Sequence, residues 1–117
     1  MILTGVGAVF CAAHRLPGDV LGQDEIHGHS YEVIAWFRND NRNDARCFKV
    51  GLEAIVQQWD HKTLPDDMNW GEDIARAVGT LANCVEVEVR RPLERFYARF
   101  ICSRALGEQA NGEGAEQ

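Results

Sequence analysis

Apolar residues recur along the chain with two different spacings, and the spacing separates strands from helices. Residues 1–16 form an apolar run rich in residues that favour strands, and residues 30–38 (SYEVIAWFR) form a second run of this kind. Residues 85–89 alternate valine with glutamate, which is typical of a half-exposed strand. Residues 96–103 predict a last strand, although a helix is also compatible with that stretch.

Two further stretches show helical spacing. Within residues 50–59 the large apolar side chains stand at i, i+3, i+4 and i+7, which predicts an amphipathic helix. Residues 71–81 carry a similar stripe, and Glu72 and Asp73 place negative charge in the first turn, where a helix favours it. The predicted element order is ββααββ, an α+β domain with both helices over one face of an antiparallel sheet.

Length, composition and charge narrow the class of protein. The chain has 117 residues, which suits one domain. We expect this domain to cover residues 1–106 and a disordered tail, poor in apolar residues, to cover residues 107–117. The net charge is −6 without a basic stripe, so no nucleic-acid partner is expected. We also expect no membrane partner and a cytoplasmic location, because no apolar run approaches the roughly 20 residues that span a bilayer and the N-terminus lacks a signal peptide's positive charge.

The strongest chemical signal is the motif His27-Gly28-His29. Residues i and i+2 of a strand point to the same face, so the two imidazoles can share one metal ion. His14, at the end of the preceding strand, lies across the predicted hairpin and completes a set of three. Three protein ligands with an open fourth position are typical of catalytic zinc. A chance surface pair is the ordinary alternative, but three of the chain's four histidines fall in this arrangement, which favours zinc.

The fourth histidine, His61, directly follows Asp60 at the end of a predicted helix. A carboxylate that orients an imidazole makes a proton relay. A polar helix end, where a histidine interacts favourably with the helix dipole, is the more ordinary interpretation, and the residues alone favour it.

Three motifs stand in order along the chain: FCAAHRL at residues 10–16, HGHSY at residues 27–31 and WDHKTL at residues 59–64. Together they resemble the 6-pyruvoyl-tetrahydropterin synthase and 6-carboxytetrahydropterin synthase family. The resemblance implies the T-fold, a ββααββ subunit whose sheets join edge to edge around a barrel in homo-oligomers, often trimers or hexamers.

The resemblance also implies an activity. It places Zn²⁺ on His14, His27 and His29, and it assigns Asp60 and His61 to a catalytic relay. The implied function is a zinc-dependent lyase acting on 7,8-dihydroneopterin triphosphate or a related pterin. The 6-carboxytetrahydropterin synthase branch, which feeds queuosine synthesis, is the expected type.

The residues before the HGH motif depart from the family pattern. The family often has a cysteine as base four residues before HGH, where this chain has Gln23, which cannot act as a base. A dihydroneopterin-cleaving branch that supplies folate synthesis uses a glutamate three residues before HGH, where Asp24 stands. Asp24 is therefore a candidate base for an alternative enzyme of that branch. Cys11 is a weaker candidate, because on a strand it would point away from His14.

The predicted pterin-binding residues depart as well. The family glutamate that pairs with the donor edge of the pterin corresponds to Arg90 or Arg91, depending on register. An arginine accepts no hydrogen bonds, so it would favour an anionic or acceptor-rich ligand. Glu72, in the second helix, keeps its family identity. A further alternative is a non-catalytic, zinc-containing module that binds a pterin or purine.

Overall fold

A computed structural model describes residues 1–15 and 26–102 of the chain. The elements are β1 (Leu3–His14), β2 (His27–Arg38), α1 (Arg46–Gln57), β3 (Lys62–Thr63), α2 (Gly71–Val78), β4 (Cys84–Arg91) and β5 (Phe96–Ile101). A short 3-10 helix, Asp66–Met68, precedes α2. The predicted tail at residues 107–117 lies outside the described residues. Among the described helices, none is long and apolar enough to cross a membrane.

The five strands form one sheet in the order β3-β1-β2-β4-β5. β1 and β2 pair antiparallel over their full length, from Leu3 opposite Arg38 to His14 opposite His27. β4 pairs antiparallel with β2 and with β5. Helix α1 packs against β1, while α2 packs against β4 and β5. The α+β architecture predicted from the alternation of spacings is confirmed.

The two faces of the sheet differ because side chains alternate along each strand. The helix face of β2 carries Tyr31, Val33, Ala35 and Phe37, all buried. Buried residues of the helices cover this face: Leu52, Val56, Ile74, Ala75 and Val78. The other face of the sheet, here called the open face, carries Glu32, Ile34 and Trp36 in β2 and bears no helix of the described chain.

Two local features differ from the predicted elements. Helix α1 begins at Arg46, earlier than the apolar spacing predicts, because the Asp44 carboxylate accepts the Arg46 backbone N–H over 2.9 Å. β3 falls in a stretch that showed no strand pattern. It pairs parallel with the end of β1, where the Leu64 N–H donates to the Ala13 carbonyl over 2.8 Å. Two residues are too few to produce a periodic signal, so only the tertiary contact defines this strand.

Candidate active site

Three imidazoles meet where β1 ends and β2 begins. The register places His14 directly opposite His27, and Ala12 opposite His29, so that all three histidines project from the helix face. Their ring centroids lie 4.6 to 4.8 Å apart. One nitrogen from each ring lies within 4.8 Å of the others, and Nε2 of His14 is 3.1 Å from Nε2 of His27. The motif that stood out in the sequence therefore forms one compact cluster.

A backbone carbonyl fixes the orientation of His14. Its Nδ1 lies 2.6 Å from the carbonyl oxygen of Asn69, just before α2. A carbonyl only accepts, so Nδ1 carries the proton and donates, and Nε2 keeps its lone pair on the side of His27. Burial lowers the pKa of His14 below its ordinary value, which favours the neutral ring. A neutral imidazole with a fixed tautomer is the form that binds a metal.

His29 has no comparable hydrogen bond. Both of its ring nitrogens are buried and have no hydrogen-bond partner among the described residues. Burial and the nearby Arg91 guanidinium lower the pKa of His29 to about 4, so the ring is neutral at pH 7. Leaving buried polar atoms unsatisfied costs free energy. A metal ion held by the three histidines would satisfy one of these nitrogens, and the donor set therefore fits a metal.

The turn between β4 and β5 brings two charged residues to this cluster. Arg91 lies on the helix face, since it pairs across the sheet with Phe96 and its guanidinium lies 5.1 Å from that ring. Its Nε is 3.4 Å from Oε1 of Glu94, and Oε2 of Glu94 is 3.6 Å from Nδ1 of His29. Arg90 projects from the open face, where it bonds Glu88 over 2.6 Å. Of the two arginines that the sequence left as alternatives, Arg91 is the one beside the histidines.

Asp60 and His61 lie where α1 gives way to β3. Oδ1 of Asp60 accepts the Cys11 backbone N–H over 3.0 Å, and Oδ2 is 3.1 Å from Nδ1 of His61. The Cys11 hydrogen bond, followed by contacts with His61, lowers the pKa of Asp60 below its ordinary value. His61 adopts a φ of 60°, and its side chain is 81% exposed. The carboxylate is thus anchored to β1 while the imidazole faces outward.

An open cavity of about 450 Å³ lies at this end of the sheet. His29, His61 and Glu94 all line it, together with Lys62 of β3. Cys11 lines it from the open face, with its Sγ 3.6 Å from Oγ of Ser30. The cavity is of ligand size and is lined by one of the clustered histidines, by the His61 imidazole and by the Glu94 side chain. His14, His27 and Arg91 are not among its lining residues.

The remaining predicted residues are placed less centrally. Glu72 is exposed in the first turn of α2. Gln23 and Asp24 lie outside the described residues. Sequence reasoning missed Asn69, because a backbone carbonyl leaves no trace in residue type. It also missed Glu94, whose only signal was an acidic residue in the turn after the two arginines.

The profile of the family described as 6-pyruvoyl tetrahydropterin synthase matches residues 5–98. The chain belongs to this family. The solved 6-pyruvoyl tetrahydropterin synthase of Caenorhabditis elegans is similar, with a TM-score of 0.67 and 16% identity over 86% of this chain and 94% of that one. The Plasmodium falciparum protein of the same description gives a TM-score of 0.54 and 14% identity, over 86% of this chain and 98% of that one. A search of curated proteins found no match.

These comparisons bear on the sequence-based predictions directly. The predicted family is confirmed, and so is the predicted α+β fold with two helices. The sheet has five strands and not the four predicted, because the short β3 joins it. At identities of 16% and 14% the two structures show the fold alone. Family membership supports a function of the pterin synthase kind, with lyase chemistry and a small-molecule pterin-like substrate.

Proposed function

We propose that this chain is a zinc-dependent lyase of the 6-carboxytetrahydropterin synthase type, acting on 7,8-dihydroneopterin triphosphate or a related pterin. The observation that carries this proposal is the cluster of His14, His27 and His29, whose nitrogens converge within 4.8 Å. Three imidazole ligands with an open position match catalytic zinc. Bound there, Zn²⁺ would supply a Lewis acid that polarises a substrate oxygen.

Asp60 and His61 supply the proton-transfer part of the proposal. Because Asp60 is held by the Cys11 N–H, it fixes His61 with Nδ1–H donating to the carboxylate. The lone pair of His61 Nε2 is then available to take a proton from a substrate carbon and return it. Asp24 is retained as a second candidate base, since Gln23 cannot accept a proton.

Arg91 bears on which substrate the site accepts. It lies beside the histidines, it is one of the two candidates for the position of the family glutamate, and it presents only hydrogen-bond donors. We assign to Arg91, rather than Arg90, the contact with an acceptor-rich or anionic part of the substrate, and Glu72 remains a candidate for a donor group. The same observation favours a second candidate function, a zinc-containing binding module with an altered ligand.

Assembly into a homo-oligomer, a trimer or hexamer, is part of the same proposal. β5 is the outermost strand on one side of the described sheet, and Phe96, Tyr97 and Ile101 are exposed along it. An outer strand presents backbone groups that another strand can pair with. Light scattering during gel filtration measures the mass directly, and a monomer at micromolar concentration would contradict this assembly.

The central experiment is turnover of 7,8-dihydroneopterin triphosphate by the zinc-loaded chain, with products separated by chromatography. A 6-carboxy- or 6-pyruvoyl-pterin is the expected product. Replacing His61 with Ala should lower kcat by about 100- to 10,000-fold, the usual contribution of a general acid–base, with zinc content unchanged.

Two outcomes separate the alternatives. Formation of a cleaved dihydropterin that Asp24→Asn abolishes would support the dihydroneopterin-cleaving branch. Absence of any product, with zinc bound and a pterin or purine retained, would support the binding module and contradict the lyase.

A further inference from the structure

The β4–β5 turn holds a carboxylate against one histidine of the metal cluster. Oε2 of Glu94 is 3.6 Å from Nδ1 of His29, and Oε1 is 3.4 Å from Nε of Arg91. The Glu94 backbone N–H donates to the Arg91 carbonyl over 3.1 Å, so a single turn positions both side chains. We propose that Glu94, held by Arg91, is a positioning residue that accepts the outer ring N–H of His29 and thereby orients it as a metal ligand.

The comparison of His14 with His29 supports this role. A histidine that binds a metal through one nitrogen usually donates its other N–H to a carbonyl or carboxylate. His14 has such a partner, the Asn69 carbonyl at 2.6 Å. His29 has no hydrogen-bond partner within the described chain, and Glu94 is the carboxylate in ion-pair range of it. A movement of about 0.7 Å by the flexible glutamate side chain would bring that contact to charge-assisted hydrogen-bond length.

Glu94 stands outside the ligand set itself. Among the histidine, cysteine, aspartate and glutamate residues that the structure describes, the possible metal-binding group contains only His14, His27 and His29. The carboxylate therefore acts through the His29 ring. The inference rests on the proposed function, because it requires a metal ion on these histidines.

Charge gives Glu94 a second effect in the same direction. The Arg91 guanidinium lies close enough to His14 and His29 to disfavour positive charge on either ring. A cation beside a metal site opposes metal binding. The Glu94 carboxylate offsets that cation, so its removal would both free the His29 ring and leave Arg91 uncompensated.

The test is the Zn²⁺ affinity of the full chain, measured by competition with a chromophoric chelator. Glu94→Ala should weaken binding by about 10- to 100-fold, the range seen when an outer-shell partner is lost. The Zn²⁺ affinity of Glu94→Gln should lie between those of Glu94→Ala and the unmodified chain, because the amide oxygen still accepts a hydrogen bond but carries no charge. Glu53→Gln is the matched control: it removes the same charge from an exposed ion pair with Lys49 on α1, and affinity should not change.

Two further measurements separate positioning from general stability. With Co²⁺ in place of Zn²⁺, Glu94→Ala should shift the visible absorption bands, which report ligand geometry. The unfolding temperature of the metal-free variant should equal that of the unmodified chain. A lower unfolding temperature with unchanged bands would assign Glu94 a structural role and overturn the inference.

The outcomes also distinguish this inference from the proposed function. If the unmodified chain binds Zn²⁺ and Glu94→Ala binds it equally well, the positioning role is wrong while the metal site stands. If the unmodified chain binds no Zn²⁺, the zinc-dependent function fails and the inference fails with it.

Discussion

The helix face and the open face of the sheet are built from the same strands, but they carry different chemistry. On the helix face, buried aliphatic and aromatic residues lead up to the histidine cluster. On the open face, charged side chains of neighbouring strands form a ladder: Glu32, Glu86, Glu88, Arg90 and Arg99. The ladder's ions pair with one another, whereas His29 is left with unsatisfied nitrogens. The unsatisfied nitrogens of His29 therefore point to a ligand at this end of the helix face.

Arg90 and Arg91 are neighbours in β4, but they lie on opposite faces of the sheet and have different partners. Arg90 is paired with Glu88 and Glu32 on the open face, at 2.6 and 3.6 Å. Arg91, one residue later, lies on the helix face, where it adds to the effect of burial in lowering the pKa of His29. Neighbours of identical chemistry therefore belong to different parts of the molecule, because a strand turns successive side chains to opposite faces.

The largest expected effect is on metal content. His29→Ala removes one of the three ligands, so zinc per purified chain should fall from about one to near zero, since a site of two imidazoles binds weakly. Ser30→Ala, one residue later on the open face, should retain the metal. Elemental analysis after dialysis measures both. Equal zinc content in the two variants would contradict the placement of the metal ligands on the helix face.

The next effect concerns stability. Phe37 is 2% exposed on the helix face, so Phe37→Ala should lower the free energy of unfolding by about 3–5 kcal/mol, as loss of a buried aromatic usually does. Trp36 is 40% exposed on the open face, and Trp36→Ala should cost clearly less. Urea unfolding of both variants tests this contrast. An equal loss would reveal that a second subunit covers the open face in solution.

A third expectation concerns pH. The pKa of His29 falls from the ordinary 6.5 to about 4 in the folded, metal-free chain, mainly through burial, and that of His14 is lowered too. Between those pH values the unfolded chain binds more protons, so folded stability rises with pH. The stability that the folded chain gains by keeping His29 neutral is fully present above pH 6.5, and it is lost as the pH falls toward 4. Urea midpoints across this window measure it, and His29→Gln should flatten the dependence; an unchanged slope would count against a buried neutral His29.

The smallest effect belongs to the open face. Arg90→Gln breaks the ion pairs with Glu32 and Glu88, which should lower the free energy of unfolding only slightly, because water and salt screen the exposed guanidinium. Zinc affinity should stay the same. A loss of zinc affinity comparable to that of Glu94→Ala would contradict the conclusion that Arg91, and not Arg90, acts at the histidine cluster.

Much of the fold could be predicted from the sequence because its signals are periodic. Spacing of two and of 3.6 residues predicted the main strands and both helices. The i, i+2 histidines predicted the cluster that His14, His27 and His29 form in the structure. Three motifs in order identified the family, which the profile match over residues 5–98 confirmed. These features are local, so each depends on residues that are consecutive or regularly spaced in the chain.

Other features were decided only by tertiary structure. The register of β4 against β2 placed Arg91, and not Arg90, beside the histidines. The β4–β5 turn brought Glu94 to His29, and a backbone carbonyl of Asn69 set the tautomer of His14. Each of these contacts joins residues far apart in the chain, and their free energy depends on distance and burial, which residue order alone does not contain.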